Sequence, residues 1–153
     1  MPALRPILRV RKATDRDLSD LLLVDREAFP GDPYPYSVLR QFMDTFTDHL
    51  RVVEADGRLC GYVLATPPNQ ARSWIFSLGV SPDMRGQGLG RRLMTETLDA
   101  LRAEGAATVL LWVEPSNKQA VALYESLGFV PSDKPLKDHF GPGEDRLLMS
   151  LTF

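Results

Sequence analysis

Gly86, Gly88 and Gly90 fall within five positions of the segment SPDMRGQGLGRRLM, residues 81–94. A glycine in a stretch that wants to be helical gives up about 1 kcal/mol relative to alanine, so three together point to a place where side chains would obstruct something. A strand that runs into a glycine-rich turn and then a helix is a general anion site. The first N–H groups of the helix have no intrahelical partner, and its dipole adds partial positive charge at that end. Glycines let a phosphate approach those N–H groups closely. Arg85, Arg91 and Arg92 add cationic side chains to a dipole effect of about 0.3–1 kcal/mol when exposed and up to ~2 when partly buried. A helix start with no ligand is the plain alternative. Two common phosphate loops are excluded. Counted from Gly86 and Gly88, G-x-G-x-x-G would need its last glycine at Arg91, and the Walker pattern lacks its lysine.

The elements around this segment follow from residue pattern. ILRVR (7–11) alternates as a half-buried strand. Thr14 or Asp15 caps a helix whose Leu18, Leu21, Leu22 and Phe29 share a face. FPGDPYPY (29–36) stops that helix in a rigid loop, and a second helix starts at Ser37. LRVVEADGRLCGYVLAT is a hairpin turning on Asp56-Gly57, and RSWIFSLGVS (72–81) is the strand leading into the glycines. A helix from Leu89 to about Glu104 places Met94, Leu98 and Leu101 on one face and closes at Gly105. TVLLWV (108–113) reads as a strand buried on both faces. A further helix carries Ala120, Leu123, Tyr124 and Leu127 on its apolar side and stops at Gly128. FVP opens a short strand, 133–144 form a polar loop, and Leu147, Met149, Leu151 and Phe153 alternate in a last strand. The order β-α-α-β-β-β-α-β-α-β-β implies a mixed α/β sheet in a single domain over residues 1–153.

Composition bounds the function. The 153 residues are 44% hydrophobic and 25% charged, an ordinary globular balance. Eighteen Lys and Arg against twenty Asp and Glu give a net charge of −2, which favours neither nucleic acid nor an anionic membrane. One cysteine, Cys60, excludes an intrachain disulfide, and no apolar run approaches membrane-spanning length. With no apolar leader at the start, the expectation is a cytoplasmic protein. Two histidines and one cysteine show no metal-ligand spacing, so no metal is expected.

Arg85-x-x-Gly88-x-Gly90 after LGVSP resembles the acyl-CoA pyrophosphate loop of the GCN5-related N-acetyltransferase (GNAT) family, and NKQAVALYESLGF (117–129) is similar to that family's second signature. AFPGDPYPYS and DHFGPGEDRLLMSL (138–151) further resemble the branch that acetylates protein N-termini, including the ribosomal-protein alanine acetyltransferases. The resemblance implies a GNAT-like mixed sheet whose two central strands splay apart around acetyl-CoA, used as co-substrate. Backbone groups of Leu78 and Val80 would bond the pantetheine arm. The N–H groups of Arg85, Gly86, Gln87, Gly88, Leu89, Gly90 and Arg91 would hold the pyrophosphate. Asn117 matches an asparagine that contacts pantetheine, and it also suits the N-cap of the helix from Lys118. Tyr124 matches the tyrosine facing the CoA sulfur. A phenol with pKa near 10 can protonate a leaving thiolate with pKa near 8.5, although the same residue on an apolar helix face would also serve a core.

The family's two frequent base positions fall here on Trp74 and Trp112, and an indole is not a base. These tryptophans would line an acceptor pocket or pack in the core. Glu114, two residues beyond Trp112 and so on the same strand face, is the substitute base, and His139, in the late loop, is the other candidate. His139 and Phe140 stand where the N-terminal branch carries two tyrosines. His49 reads as a surface residue. Bringing a lysine ε-amine to its neutral form at pH 7 costs roughly 4.6 kcal/mol and an α-amine only about 1, so a weakly basic acceptor is expected. The expected activity is direct acetyl transfer in a ternary complex to a peptide N-terminus or a small amine, by a monomer or homodimer. A non-catalytic acyl-CoA-binding sensor or interaction domain is the alternative.

Overall fold

The computed structural model describes residues 4–153. The chain divides into two compact units, residues 1–65 with 77–97 and residues 66–76 with 98–153. In chain order the elements are β1 (Leu8–Lys12), α1 (Leu18–Ala28), α2 (Tyr36–Thr45), β2 (Leu50–Ala55), β3 (Arg58–Ala65), β4 (Arg72–Val80), α3 (Leu89–Ala103), β5 (Thr108–Val113), α4 (Lys118–Ser126), β6 (Val130–Pro131) and β7 (Leu147–Thr152). This is the expected α/β order, with the second helix entered at Tyr36 after Pro35 rather than at Ser37. The strand order is β1-β2-β3-β4-β5-β7-β6.

In the first unit β1, β2 and β3 form an antiparallel meander, β2 and β3 turning at Asp56-Gly57. Leu18, Leu21 and Val24 of α1 and Leu39 and Met43 of α2 bury against Leu50, Val52, Tyr62 and Leu64. Each of these large aliphatic side chains contributes roughly 1.5–3 kcal/mol through burial. Tyr34 meets Phe42 edge-on, with centroids 5.2 Å apart. Cys60 is buried in β3, its thiol donating to the Val53 carbonyl at 3.6 Å, and burial raises its pKa. His49 is 8% exposed, which corrects its surface assignment. It ends a short 3-10 turn that delivers the chain directly into buried Leu50, so the backbone carries the imidazole inward.

A charged cluster ties β1 to the start of α1. Thr14 and Asp17 form a capping box. The Asp17 carboxylate accepts both Arg11 Nη1 and Nη2 at 2.8 Å and the Thr14 N–H at 2.7 Å, while Arg11 Nε donates to Glu54 at 2.9 Å. The bond from Arg11 is the largest cause holding the Asp17 pKa below its ordinary value, and Asp17 in turn raises that of Arg11. A depressed folded-state pKa stabilises the fold above the unfolded value near 3.9 and ceases to do so as pH falls through the folded one. Urea midpoints are therefore expected to hold from pH 7 to about 4.5 and to fall below about pH 4. In Asp17→Asn this acid-dependent decline is expected to be shallower, and an unchanged decline would remove Asp17 as its source.

In the second unit β5 pairs in parallel with β4, from Arg72↔Thr108 to Ile75↔Leu111. It pairs antiparallel with β7 along its full length, and β6 joins the far side of β7. The β4–β5 ladder ends at Ile75↔Leu111, although β5 continues through Trp112 and Val113 paired with β7. Val109, Leu111 and Val113 are buried, whereas Thr108, Leu110 and Trp112 are only half-buried. The expectation of burial on both faces is thus corrected. The apolar face carrying Leu110 and Trp112 is partly open, because aromatic and aliphatic residues need not be fully covered to favour a strand.

Candidate active site

The first unit supplies the glycine loop. β4 ends in Leu78 and Val80, both half-buried, then Ser81 and a 3-10 turn over Pro82–Met84 lead to α3. Gly86 and Gly88 have φ of 78° and 79°, and a Cβ at either would meet nothing within 4 Å. Glycine is required there for conformation, and the space above the backbone is open. Arg92 N–H already bonds to the Gly88 carbonyl, which leaves the N–H groups of Leu89 and Gly90 as helix-start donors. Arg85, Gln87, Arg91 and Arg92 are exposed around this loop. Arg85 Nη2 reaches the Ala28 carbonyl at 3.4 Å and Arg92 pairs with Glu96 at 3.7 Å. An open turn of donors flanked by arginines fits a pyrophosphate.

Sequence reasoning did not find the group beneath this strand. Asp25 of α1 is 1% exposed. Its carboxylate accepts the Tyr62 hydroxyl at 2.5 Å and the Tyr34 N–H at 2.6 Å, and the Tyr62 hydroxyl also lies 2.8 Å from Ser77 Oγ on β4. Burial first, then the Asp25 charge, pushes the Tyr62 pKa well up, so it remains a donor. A Cβ on Gly79 would stand 2.8 Å from Tyr62 Cε1 and 3.3 Å from Phe29 Cε2. β4 can therefore lie this close to Tyr62 and the FPGDPYPY loop only with glycine at 79. The one available signal was a carboxylate inside the apolar run LLLVDREAF.

The second unit carries Tyr124, Asn117 and the aromatic residues. Asn117 caps α4 by accepting the Ala120 N–H at 3.2 Å. Tyr124 is 7% exposed, its ring 5.9 Å from that of Phe129. Burial alone pushes the phenol pKa up to about 12, so it stays protonated throughout the neutral range and can act as a proton donor. Glu114 is exposed in the turn after β5, its carbonyl accepting the Asn117 N–H at 3.0 Å. The strand ends at Val113, so the alternation that put Glu114 on the face of Trp112 does not extend to it.

Trp74 and Trp112 stack across β4 and β5 with centroids 6.2 Å apart, and His139 lies 4.2 Å from the Trp112 ring. The structure thus brings together the three residues expected to line an acceptor pocket, and it adds Phe140, stacked 5.6 Å from His139. The loop that brings them is internally bonded. Asp138 N–H donates to Asp145 at 2.9 Å, the Asp138 carboxylate accepts Gly143 N–H at 2.7 Å, and Leu136 bridges Arg146.

Residues 16–129 match the acetyltransferase (GNAT) family. The chain is 32% identical over 142 residues to an uncharacterised N-acetyltransferase of Methanocaldococcus jannaschii, covering 92% of this chain and 88% of that one. It is 45% identical over 78 residues to a mycothiol acetyltransferase of Beutenbergia cavernae, covering 51% of this chain but only 26% of that longer protein. Among solved structures, the ribosomal-protein-S18-alanine N-acetyltransferase of Escherichia coli superposes with a TM-score of 0.84 at 25% identity, covering 95% of this chain and 94% of that one. The fold is shared with yncA of Salmonella typhimurium, solved with acetyl-CoA, at a TM-score of 0.81, 20% identity and 95% and 93% coverage. The chain belongs to the acetyltransferase (GNAT) family.

Proposed function

We propose that this N-acetyltransferase moves the acetyl group of acetyl-CoA directly onto a weakly basic amine in a ternary complex, the two units acting as one domain. The observation that carries this reading is the open turn at Gly86 and Gly88, whose N–H groups and flanking arginines suit the pyrophosphate of CoA. Leu78 and Val80 offer backbone groups to the pantetheine arm, and Asn117 adds its side-chain amide. The amine nitrogen bonds to the thioester carbon as the C–S bond breaks. The departing thiolate takes the Tyr124 proton, and the amine's extra proton passes through water to restore the phenol. Tyr124, neutral to about pH 12, keeps that proton available at all working pH values.

With tryptophan at both frequent base positions, no strong base is required of Glu114 or His139 if an appreciable fraction of the acceptor is already neutral. That favours an α-amine or another weakly basic amine. The test is release of CoA thiol with N-terminal peptides, free lysine side chains, polyamines and arylamines assayed separately at pH 7. A rate at least tenfold higher for weakly basic amines is expected, and a preference for ε-amines would overturn the choice of acceptor. The tryptophans also motivate a second reading, a domain that binds acetyl-CoA without catalysis. Acetyl-CoA binding in calorimetry without thiol release from any amine would select it.

A further inference from the structure

Five aromatic side chains share one surface of the second unit. Trp74 and Phe76 alternate onto one face of β4, Phe76 being 44% exposed. Trp112 stands beside them on the half-open face of β5, and His139 and Phe140 come from the late loop, Phe140 being 55% exposed. Four of the rings form a contiguous ladder that folds back at His139: Trp74 stacks on Trp112, Trp112 meets His139, His139 stacks on Phe140, and Phe140 is also edge-on to Trp112 at 6.4 Å. The Phe140 end is closed by Arg146, whose guanidinium lies 4.6 Å over the ring and is held by Glu144 at 3.1 Å. Trp74 stacks on Trp112 and is half-buried, so part of its ring stays accessible. The ladder is set up before any ligand arrives, since the bonds around Asp138 fix the loop that presents His139 and Phe140. Large exposed aromatic surface is uncommon on a soluble domain without a partner for it.

From this geometry we infer that the acceptor is a small amine bearing an aromatic ring, which continues the ladder at its accessible Trp74 end. The inference rests on the acetyltransferase reading, because it assigns the ladder to the acceptor. The ladder itself contains no carboxylate, and its terminal cation already has Glu144 as partner. It offers stacking to a planar ring, and little to a highly charged acceptor such as a polyamine. Offset ring stacking adds preference beyond apolar burial alone, so aromatic and saturated acceptors of one size should separate.

The test pairs phenylalaninamide with cyclohexylalaninamide, two weakly basic α-amines of similar size that differ in ring aromaticity. Wild-type kcat/KM is expected to favour the aromatic amine roughly tenfold, mainly through KM. Trp74→Leu is expected to abolish the difference by raising KM for the aromatic amine about tenfold. Both tryptophans of the chain lie in the ladder, so intrinsic fluorescence reports on this surface alone. With CoA saturating, phenylalaninamide is expected to change the emission at concentrations near its KM, and cyclohexylalaninamide to need about tenfold more. Equal kcat/KM for the two amines, with CoA released from both, would overturn the inference and leave acetyl transfer standing. Selective fluorescence binding of the aromatic amine without CoA release would overturn acetyl transfer and leave the aromatic preference standing. Equal or absent fluorescence responses would overturn the inference even in a variant-free experiment.

Discussion

Tyr124→Phe is expected to lower kcat by about 10²–10⁴-fold, the usual worth of a positioned general acid, with little change in the KM for acetyl-CoA. The substitution removes one oxygen from a ring that is 7% exposed and packed near Phe129. Burial raises the phenol pKa, and among the described residues no hydrogen bond or neighbouring charge contributes. Deleting the hydroxyl therefore breaks no stabilising bond, and the thermal midpoint should move by no more than about 2 °C. This separates chemistry from folding. Because the donor stays protonated up to about pH 12, wild-type kcat should rise with pH as the acceptor amine loses its proton, with no alkaline fall from the phenol below about pH 11. A variant as active as the wild type would return Tyr124 to the role of a core residue.

Asp25→Ala is expected to destabilise the protein by about 3 kcal/mol, lowering the thermal midpoint by roughly 6–12 °C for a chain of this size. The carboxylate is 1% exposed and accepts from Tyr62 at 2.5 Å and from the Tyr34 N–H at 2.6 Å. Truncation leaves the half-buried Tyr34 N–H without its carboxylate and Tyr62 with Ser77 as its remaining partner. An unmade buried bond costs more than a made one contributes, which sets the magnitude. Tyr62→Phe alone should cost less, since the carboxylate keeps the Tyr34 N–H. The two changes together should fall short of their sum by at least about 1 kcal/mol. Additive effects in urea unfolding would show that Asp25 and Tyr62 do not act as a unit.

What the sequence made legible was whatever has a local cause. Asp56-Gly57 between two apolar runs announced its hairpin, Gly105 and Gly128 announced helix ends, and the strand–glycine–helix run announced an open turn ahead of α3. Asn117 was legible as a cap because its partner is three residues away. The Asp25–Tyr34–Tyr62–Ser77 group was not, since its members lie up to 52 positions apart and nothing local ties a carboxylate in α1 to a hydroxyl in β3. TVLLWV could not reveal an open face, because apolarity states that residues tolerate burial and not that something covers them. His49 misled for the converse reason, as a polar side chain was turned inward by the turn preceding Leu50. The aromatic ladder was half visible. Trp74, Trp112 and His139 stood out by position, but the cation closing the far end came from Arg146, which carries no motif.

The chain's single thiol also decides how turnover is best observed. Cys60 is enclosed in β3 with its sulfur directed at a main-chain carbonyl, and burial disfavours the thiolate that attacks disulfide reagents. Aromatic disulfide dyes present during catalysis should therefore leave the folded enzyme unlabelled. The colour they develop counts CoA directly, without an enzyme blank that grows with protein concentration. The same dye added in denaturant then titrates one thiol per chain, giving the total protein concentration and the reaction rate from a single chromophore.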